Sequence, residues 1–186
     1  MQSKENQLYN KHRTPLSEER NERIQNVLAH RQNSLTVVLE NVHDPHNIAA
    51  VMRTCDAVGI MEIFVLNTIT NPFRNFDLRK SSSANKWMMV HEFADVHLCF
   101  EHVKQKYTTI YSTFLNETSN DLYDLSLIHP TALVFGNEKK GISNETLSYC
   151  TGNFSIPQVG IIKSLNISVA CSVSIYEAFR QKRLAG

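Results

Sequence analysis

Residues 34–67 read SLTVVLENVHDPHNIAAVMRTCDAVGIMEIFVLN, and the period of apolar residues changes twice within them. SLTVVLEN is a β-rich run, the stretch from about Asn47 to Val58 carries apolar residues at helical spacing, and MEIFVLN is a second β-rich run. Gly59 stands where a helix should end. A strand, a helix and a strand in this order predict an α/β fold built on a mostly parallel sheet with flanking helices. With Ile48 as reference and about 100° per residue, Val51, Met52, Cys55 and Val58 share one stripe of the helix. Arg53 lies on the other side with Ala49, Ala50 and Ala57. A permanent cation is a poor core residue there, so it either reaches solvent, with Asn47 as a simple N-cap, or stands beside a phosphate or reacting oxygen.

The rest of the chain continues the alternation. Residues 15–31 form an amphipathic helix with acids early and Arg31 late, in the sense the helix dipole favours. Residues 72–87 are a polar loop. VHLCFEHVKQ is a helix, TTIYSTF and TALVFG are strands, a helix starts near Ser143, GNFSIP is a short strand, and NISVACSVSIYEAFRQKR is a helix of about five turns. No internal repeat is visible. A helical arm over residues 1–33 and an α/β domain over 34–186 are the expected divisions.

Composition narrows the function. The 186 residues are 42% hydrophobic, enough for one ordinary core. Runs such as TALVF and IFVL are far too short to span a membrane, and MQSKENQLYNKHR carries no apolar signal region, so a cytoplasmic protein is expected. Cys55, Cys99, Cys150 and Cys171 stand far apart, which points neither to a disulfide framework nor to a metal site. The formal net charge is only +1. Basic residues nevertheless gather at Lys11, Arg13, Arg20 and Arg23, at Arg74, Arg79, Lys80 and Lys86, and at Lys163, Arg180, Lys182 and Arg183. Acidic residues dominate between Glu92 and Asp124, so one basic face for nucleic acid is compatible with a neutral body.

Parallel α/β sheets place their sites at the carboxyl ends of strands. Asn47 follows the first strand, Gly136-Asn137-Glu138 follows TALVF, and residues 157–166 follow GNFSI. Neither GxGxxG after the first strand nor GxxxxGK[ST] anywhere is present, so the usual dinucleotide and triphosphate cradles are missing. IPQVGIIKSLN places an apolar GII run in a loop. A lid over an apolar ligand, another subunit, or passage of the chain through the fold would each cover it.

Together these segments resemble one family, the SpoU/TrmH branch of the SPOUT RNA 2′-O-ribose methyltransferases. ENVHDPHNIAAVMRTCDAVG is similar to that family's first motif, LVFGNEKKGIS to its second, and IPQVGIIKSLNISVACSVSIYEAFRQ to its third, in the same order and at the same separations. SSSANKWMMV and TPLSEERNERIQNVLAHRQ resemble more narrowly the members that methylate a guanosine of tRNA. The resemblance implies a C-terminal trefoil knot that holds S-adenosylmethionine without metal, a homodimer packed through the helix from Asn166, and an RNA substrate, the favoured one a D-loop guanosine of tRNA. It implies that Thr113, Gly136, Ile156 and Leu165 line the cofactor pocket and that Asn47, Arg53, Glu138, Ser164 and Asn166 form the catalytic set. Within that set Asn47 and Asn166 would hold Arg53 and the ribose, Glu138 would anchor loops, and threading and a second subunit would bury the GII run. The chain stops a few residues past its last helix, where tRNA-specific members carry a further helical extension. That departure leaves a ribosomal RNA target, or an RNA-binding member without turnover, as the alternatives.

Overall fold

The structure, a computed structural model, describes residues 17–69, 87–114, 116 and 119–186. Seven strands form one sheet: β1 (Leu35–Glu40), β2 (Glu62–Leu66), β3 (Met89–Phe93), β4 (Thr109–Thr113), β5 (Asn120–Asp121), β6 (Thr131–Phe135) and β7 (Gly152–Ser155). Their order is β3-β2-β1-β6-β4-β7-β5, and every neighbouring pair is parallel. The helices are α1 (Glu18–Ala29), α2 (Pro45–Ala57), α3 (Val96–Lys104), α4 (Asn144–Leu147) and α5 (Ile167–Ala185). From β1 the chain builds outward through β2 to β3, and then fills the opposite side of β1 with β6 and β4. The order therefore reverses between β1 and β6, where a parallel sheet opens a crevice at its carboxyl edge.

Both faces of the sheet are covered, which is why the central strands read as nearly unbroken apolar runs. On one face Val37, Leu39, Ile63, Leu133 and Phe135 meet Ile48, Val51, Met52 and Cys55 of α2 and Cys171, Ile175 and Ala178 of α5. On the other, Val38, Phe64, Ala132 and Val134 meet Val96, Cys99, Phe100 and Val103 of α3. Each such large apolar side chain contributes about 1.5–3 kcal/mol on burial. The apolar stripe of α2 expected from its spacing is thus the buried one.

The ends of α2 have local causes. Asp44 is its N-cap, accepting from the His46 amide at 2.8 Å, and Pro45 occupies the first turn, where its missing N–H costs nothing. Asn47 is not the cap but a residue inside that turn, which frees its side chain for other partners. At the other end Gly59 takes φ +84°, and the amides of Gly59 and Ile60 return to the carbonyls of Asp56 and Cys55. This double closure needs the left-handed backbone that glycine supplies without strain.

Two strands are absent from the sequence reading. β5 has two residues, and β3 is an edge strand whose MVHEF sequence is nowhere fully buried. Neither presents the apolar run by which the central strands are recognised. Among the described residues, those up to Arg31 belong to one compact unit and those from Gln32 onward to another. Within the first, α1 buries none of its side chains. The polar loop expected over residues 72–87 falls almost wholly outside the described residues.

Glu62, at the amino end of β2, is a buried acid with three side-chain partners. Its Oε1 accepts from Lys106 Nζ at 2.6 Å and from the Tyr107 hydroxyl at 2.8 Å, and its Oε2 stands 2.9 Å from His91 Nε2. Burial alone would raise this carboxyl, but the hydrogen bonds from Lys106, Tyr107 and His91 outweigh it and hold the group below its ordinary value of 4.5. A lowered folded value means that the stabilisation is fully present above the unfolded value and is lost as pH falls through the folded one. Glu62→Gln should therefore lower stability at neutral pH by about 1.5–3 kcal/mol. Chemical denaturation of both proteins should show that gap closing below pH about 4; a gap independent of pH would show that the Glu62 charge contributes nothing.

Candidate active site

Three loops meet at the carboxyl edge of the sheet beside the β1/β6 reversal. After β6 the chain makes a tight loop from Gly136 to Ser143. Asn137 and Gly141 exchange backbone hydrogen bonds of 3.0 and 2.8 Å across it, and the Asn137 Oδ1 accepts from the amides of Lys139 and Lys140. The return strand passes so close that a Cβ on Gly136 would lie 2.4 Å from the Gly141 carbonyl group. Only glycine fits there, and Gly141 itself adopts φ +69°. After β7 the chain runs through Ile156–Leu165 before α5 begins.

These loops enclose a cavity of about 740 Å³, within the range of small-molecule sites. Of the residues singled out in the sequence, Thr113, Gly136, Glu138, Ile156, Ser164, Leu165 and Asn166 all line it. Thr113, at the end of β4, donates its hydroxyl to the Val134 carbonyl at 3.2 Å. Ile156 and Leu165 give the cavity apolar wall.

Asn47 stands just behind this lining. Its Nδ2 donates to Glu138 Oε1 at 2.9 Å, and its Oδ1 accepts from Asn166 Nδ2 at 3.1 Å. Asn166 is also the N-cap of α5, its Oδ1 accepting from the Ser168 amide at 2.8 Å. The start of α5, the first turn of α2 and the β6 loop are thereby joined by side chains alone.

Arg53 is not part of this arrangement. It lies six residues beyond Asn47, about 9 Å along the helix and on another face, exposed and outside the lining of the cavity. Among the described residues no hydrogen bond or ion pair engages it. The expectation that Asn47 and Asn166 hold Arg53 fails within one chain, because both amides are occupied with each other and with Glu138.

The GII run also departs from expectation. Val159, Ile161 and Ile162 are exposed, the first two completely. The fold of this chain does not cover them, so threading is not what buries the run. On α5, Val169 and Tyr176 are exposed as well.

The thiols are poorly suited to nucleophilic chemistry. All four cysteines are free, and burial pushes every thiol up, Cys150 to about 11, Cys99 to about 12, and Cys55 and Cys171 also well above the ordinary thiol range. Among the described residues no group of three or more His, Cys, Asp or Glu side chains could hold a metal ion, and no helix is long and apolar enough to cross a membrane. Two residues that bond to the Gly136–Ser143 loop are not singled out in the sequence, Glu40 and Asn41. Their signal is position: buried polar groups at the end of a central strand and just after it.

A parallel α/β sheet with a mixed polar and apolar cavity at its carboxyl edge defines a ligand-binding class, and three comparisons make it specific. Residues 34–176 match the SpoU rRNA Methylase family. The chain is 42% identical over 170 residues to the tRNA (guanosine(18)-2′-O)-methyltransferase of Thermus thermophilus, covering 91% of this chain and 87% of that one. Its fold superposes on the TrmH/SpoU tRNA modifying enzyme of A. aeolicus with a TM-score of 0.80 and 31% identity, covering 91% and 85% of the two chains. It superposes on the SpoU methyltransferase AviRb of Streptomyces viridochromogenes, crystallised with AdoMet, with a TM-score of 0.72 and 26% identity, covering 84% and 60%. The chain belongs to the SpoU methylase family.

Gly136→Ala should be poorly tolerated, since its methyl group meets backbone rather than a yielding side chain. A loss of about 1–3 kcal/mol in equilibrium unfolding is expected. Unchanged stability would mean that the loop is not fixed against Gly141.

Proposed function

We propose that this chain is an S-adenosylmethionine-dependent 2′-O-ribose methyltransferase whose substrate is a guanosine in the D-loop of tRNA, position 18 by the name of its Thermus relative. The observation that carries the reading is the convergence of Asn47, Gly136–Glu138 and Ile156–Asn166 on one cavity. That cavity suits the cofactor: Ile156 and Leu165 offer an apolar wall to a base, Thr113 and Ser164 offer hydroxyls, and Gly136 lets backbone approach without a side chain. Bound there, S-adenosylmethionine supplies an electrophilic methyl group. The residues of the chain must then orient the ribose hydroxyl and help its proton leave.

Asn47, Glu138 and Asn166 are already bonded to one another and fix the floor of the site, and Ser164 positions the nucleotide. Arg53 is always protonated and makes a poor base. Its role is to stabilise the developing alkoxide, with a substrate phosphate available to take the proton. Because Arg53 lies outside the lining of its own chain's cavity, this role calls for a second copy. We propose a homodimer in which the exposed apolar residues of the 157–165 loop and of α5 are covered by the partner and Arg53 serves the partner's cavity. The trefoil knot belongs to the same reading, as does cytoplasmic action on RNA. Residues 1–33 serve as an RNA-contacting arm, since Arg20 and Arg23 of α1 are exposed.

Titration calorimetry with S-adenosylhomocysteine and radiolabelled methyl transfer to total tRNA and to ribosomal RNA test this. Binding, with label on a tRNA ribose, is expected; label only on ribosomal RNA would overturn the substrate, and absence of binding would overturn the cofactor. Arg53→Ala should abolish transfer with affinity for S-adenosylhomocysteine intact, and Arg53→Lys should fail too, having lost the planar fork. Wild-type turnover in either would remove Arg53 from the mechanism. Light scattering at monomer mass would overturn the dimer.

A further inference from the structure

Glu40 closes β1 with 1% of its surface exposed, yet it makes only one hydrogen bond among the described residues: Oε2 accepts from the Ser143 amide at 3.0 Å, and the equally buried Oε1 is unpartnered. Burying a carboxyl group so sparingly bonded is unfavourable, and an apolar residue of the same size would be expected to stabilise the sheet. What the bond does is hold the far end of the Gly136–Ser143 loop against β1.

The near end is held by the next residue. Asn41 is the one residue other than glycine with a positive φ among those described, at +52°. With its backbone so turned, its carbonyl accepts from Asn137 Nδ2 at 2.8 Å. Its side chain is committed elsewhere, to the Thr68 amide at 2.9 Å and the Thr68 hydroxyl at 3.0 Å. Two consecutive residues thus pin both ends of the loop that carries Glu138, whose Oε1 in turn receives Asn47. A strained backbone and an underbonded buried acid, side by side, are the kind of local cost that persists at functional sites.

We infer that Glu40 and Asn41 are positioning residues that set the Gly136–Ser143 loop, and through it the cofactor cavity and the Glu138 carboxylate. The part of this inference that concerns the cofactor rests on the function proposed above; the part that concerns the loop does not.

The test compares Glu40→Leu, which removes the acceptor, with Glu40→Gln, which keeps one. Three readouts are taken on purified protein: thermal midpoint, amide hydrogen exchange at Asn137 and Gly141, and affinity for S-adenosylhomocysteine. Glu40→Leu should keep or raise the midpoint, speed exchange at both amides at least tenfold and weaken affinity about tenfold. Glu40→Gln should restore slow exchange and most of the affinity. Wild-type exchange in a folded Glu40→Leu protein would overturn the inference, even were the wild type to bind no S-adenosylhomocysteine, a result that would count against the proposed function alone. Should Glu40→Leu fail to fold, Asn137→Asp releases the other tether by removing the Nδ2 donor to the Asn41 carbonyl while keeping the Oδ1 acceptor for the Lys139 and Lys140 amides. Exchange at Gly141 then rises if the tethers set the loop, and wild-type exchange there would overturn the inference equally.

Discussion

The hydrogen-bonded run Asn166–Asn47–Glu138 is the constraint on which the site depends. It joins residues 119 and 91 positions apart, and each of its members also belongs to a regular element or its loop. Asn166 caps α5, Asn47 sits in the first turn of α2, and Glu138 rides on the loop after β6. Amide side chains can serve as donor and acceptor at once, and that double capacity is what lets Asn47 stand in the middle. A side chain with only acceptors or only donors would break the run on one side.

The parallel sheet makes such a meeting possible. Where the strand order reverses between β1 and β6, the loops leaving those strands diverge to opposite faces and open a crevice. Asp44 and Pro45 start α2 early enough to bring Asn47 over that crevice, and Gly136 and Gly141 fold the β6 loop tightly enough to meet it. Chemistry at a ribose hydroxyl asks for fixed dipoles and a fixed cation more than for a titrating base. The four thiols, all raised by burial, take no part.

Much of this was legible in the sequence. The two-fold change of apolar period across residues 34–67 determines β1, α2 and β2, and the stripe of Ile48, Val51, Met52, Cys55 and Val58 is the face that is buried. The cavity lining followed from motif resemblance, because spacing alone cannot say that Thr113 and Leu165 approach one another. The N-cap of α2 was misplaced because Asp44 and Asn47 are both good capping residues, and only the position of Pro45 in the first turn separates them. Edge strands β3 and β5 escaped notice because a strand buried on neither face has no apolar period to read. Arg53 shows the limit most plainly: its exposure depends on where the cavity opens, and that is a property of the assembled sheet. The exposure of Val159, Ile161 and Ile162 is likewise a property of the folded chain that their apolar sequence does not announce.

A double-mutant cycle on Asn47→Ala and Asn166→Ala, read as affinity for S-adenosylhomocysteine, addresses the hydrogen-bonded run directly. If the two amides act as one unit, the second substitution adds little once the first is made, and a coupling of about 0.5–3 kcal/mol results. Strictly additive losses would mean that Asn47 and Asn166 act independently, and that no shared constraint holds the three segments at the cavity.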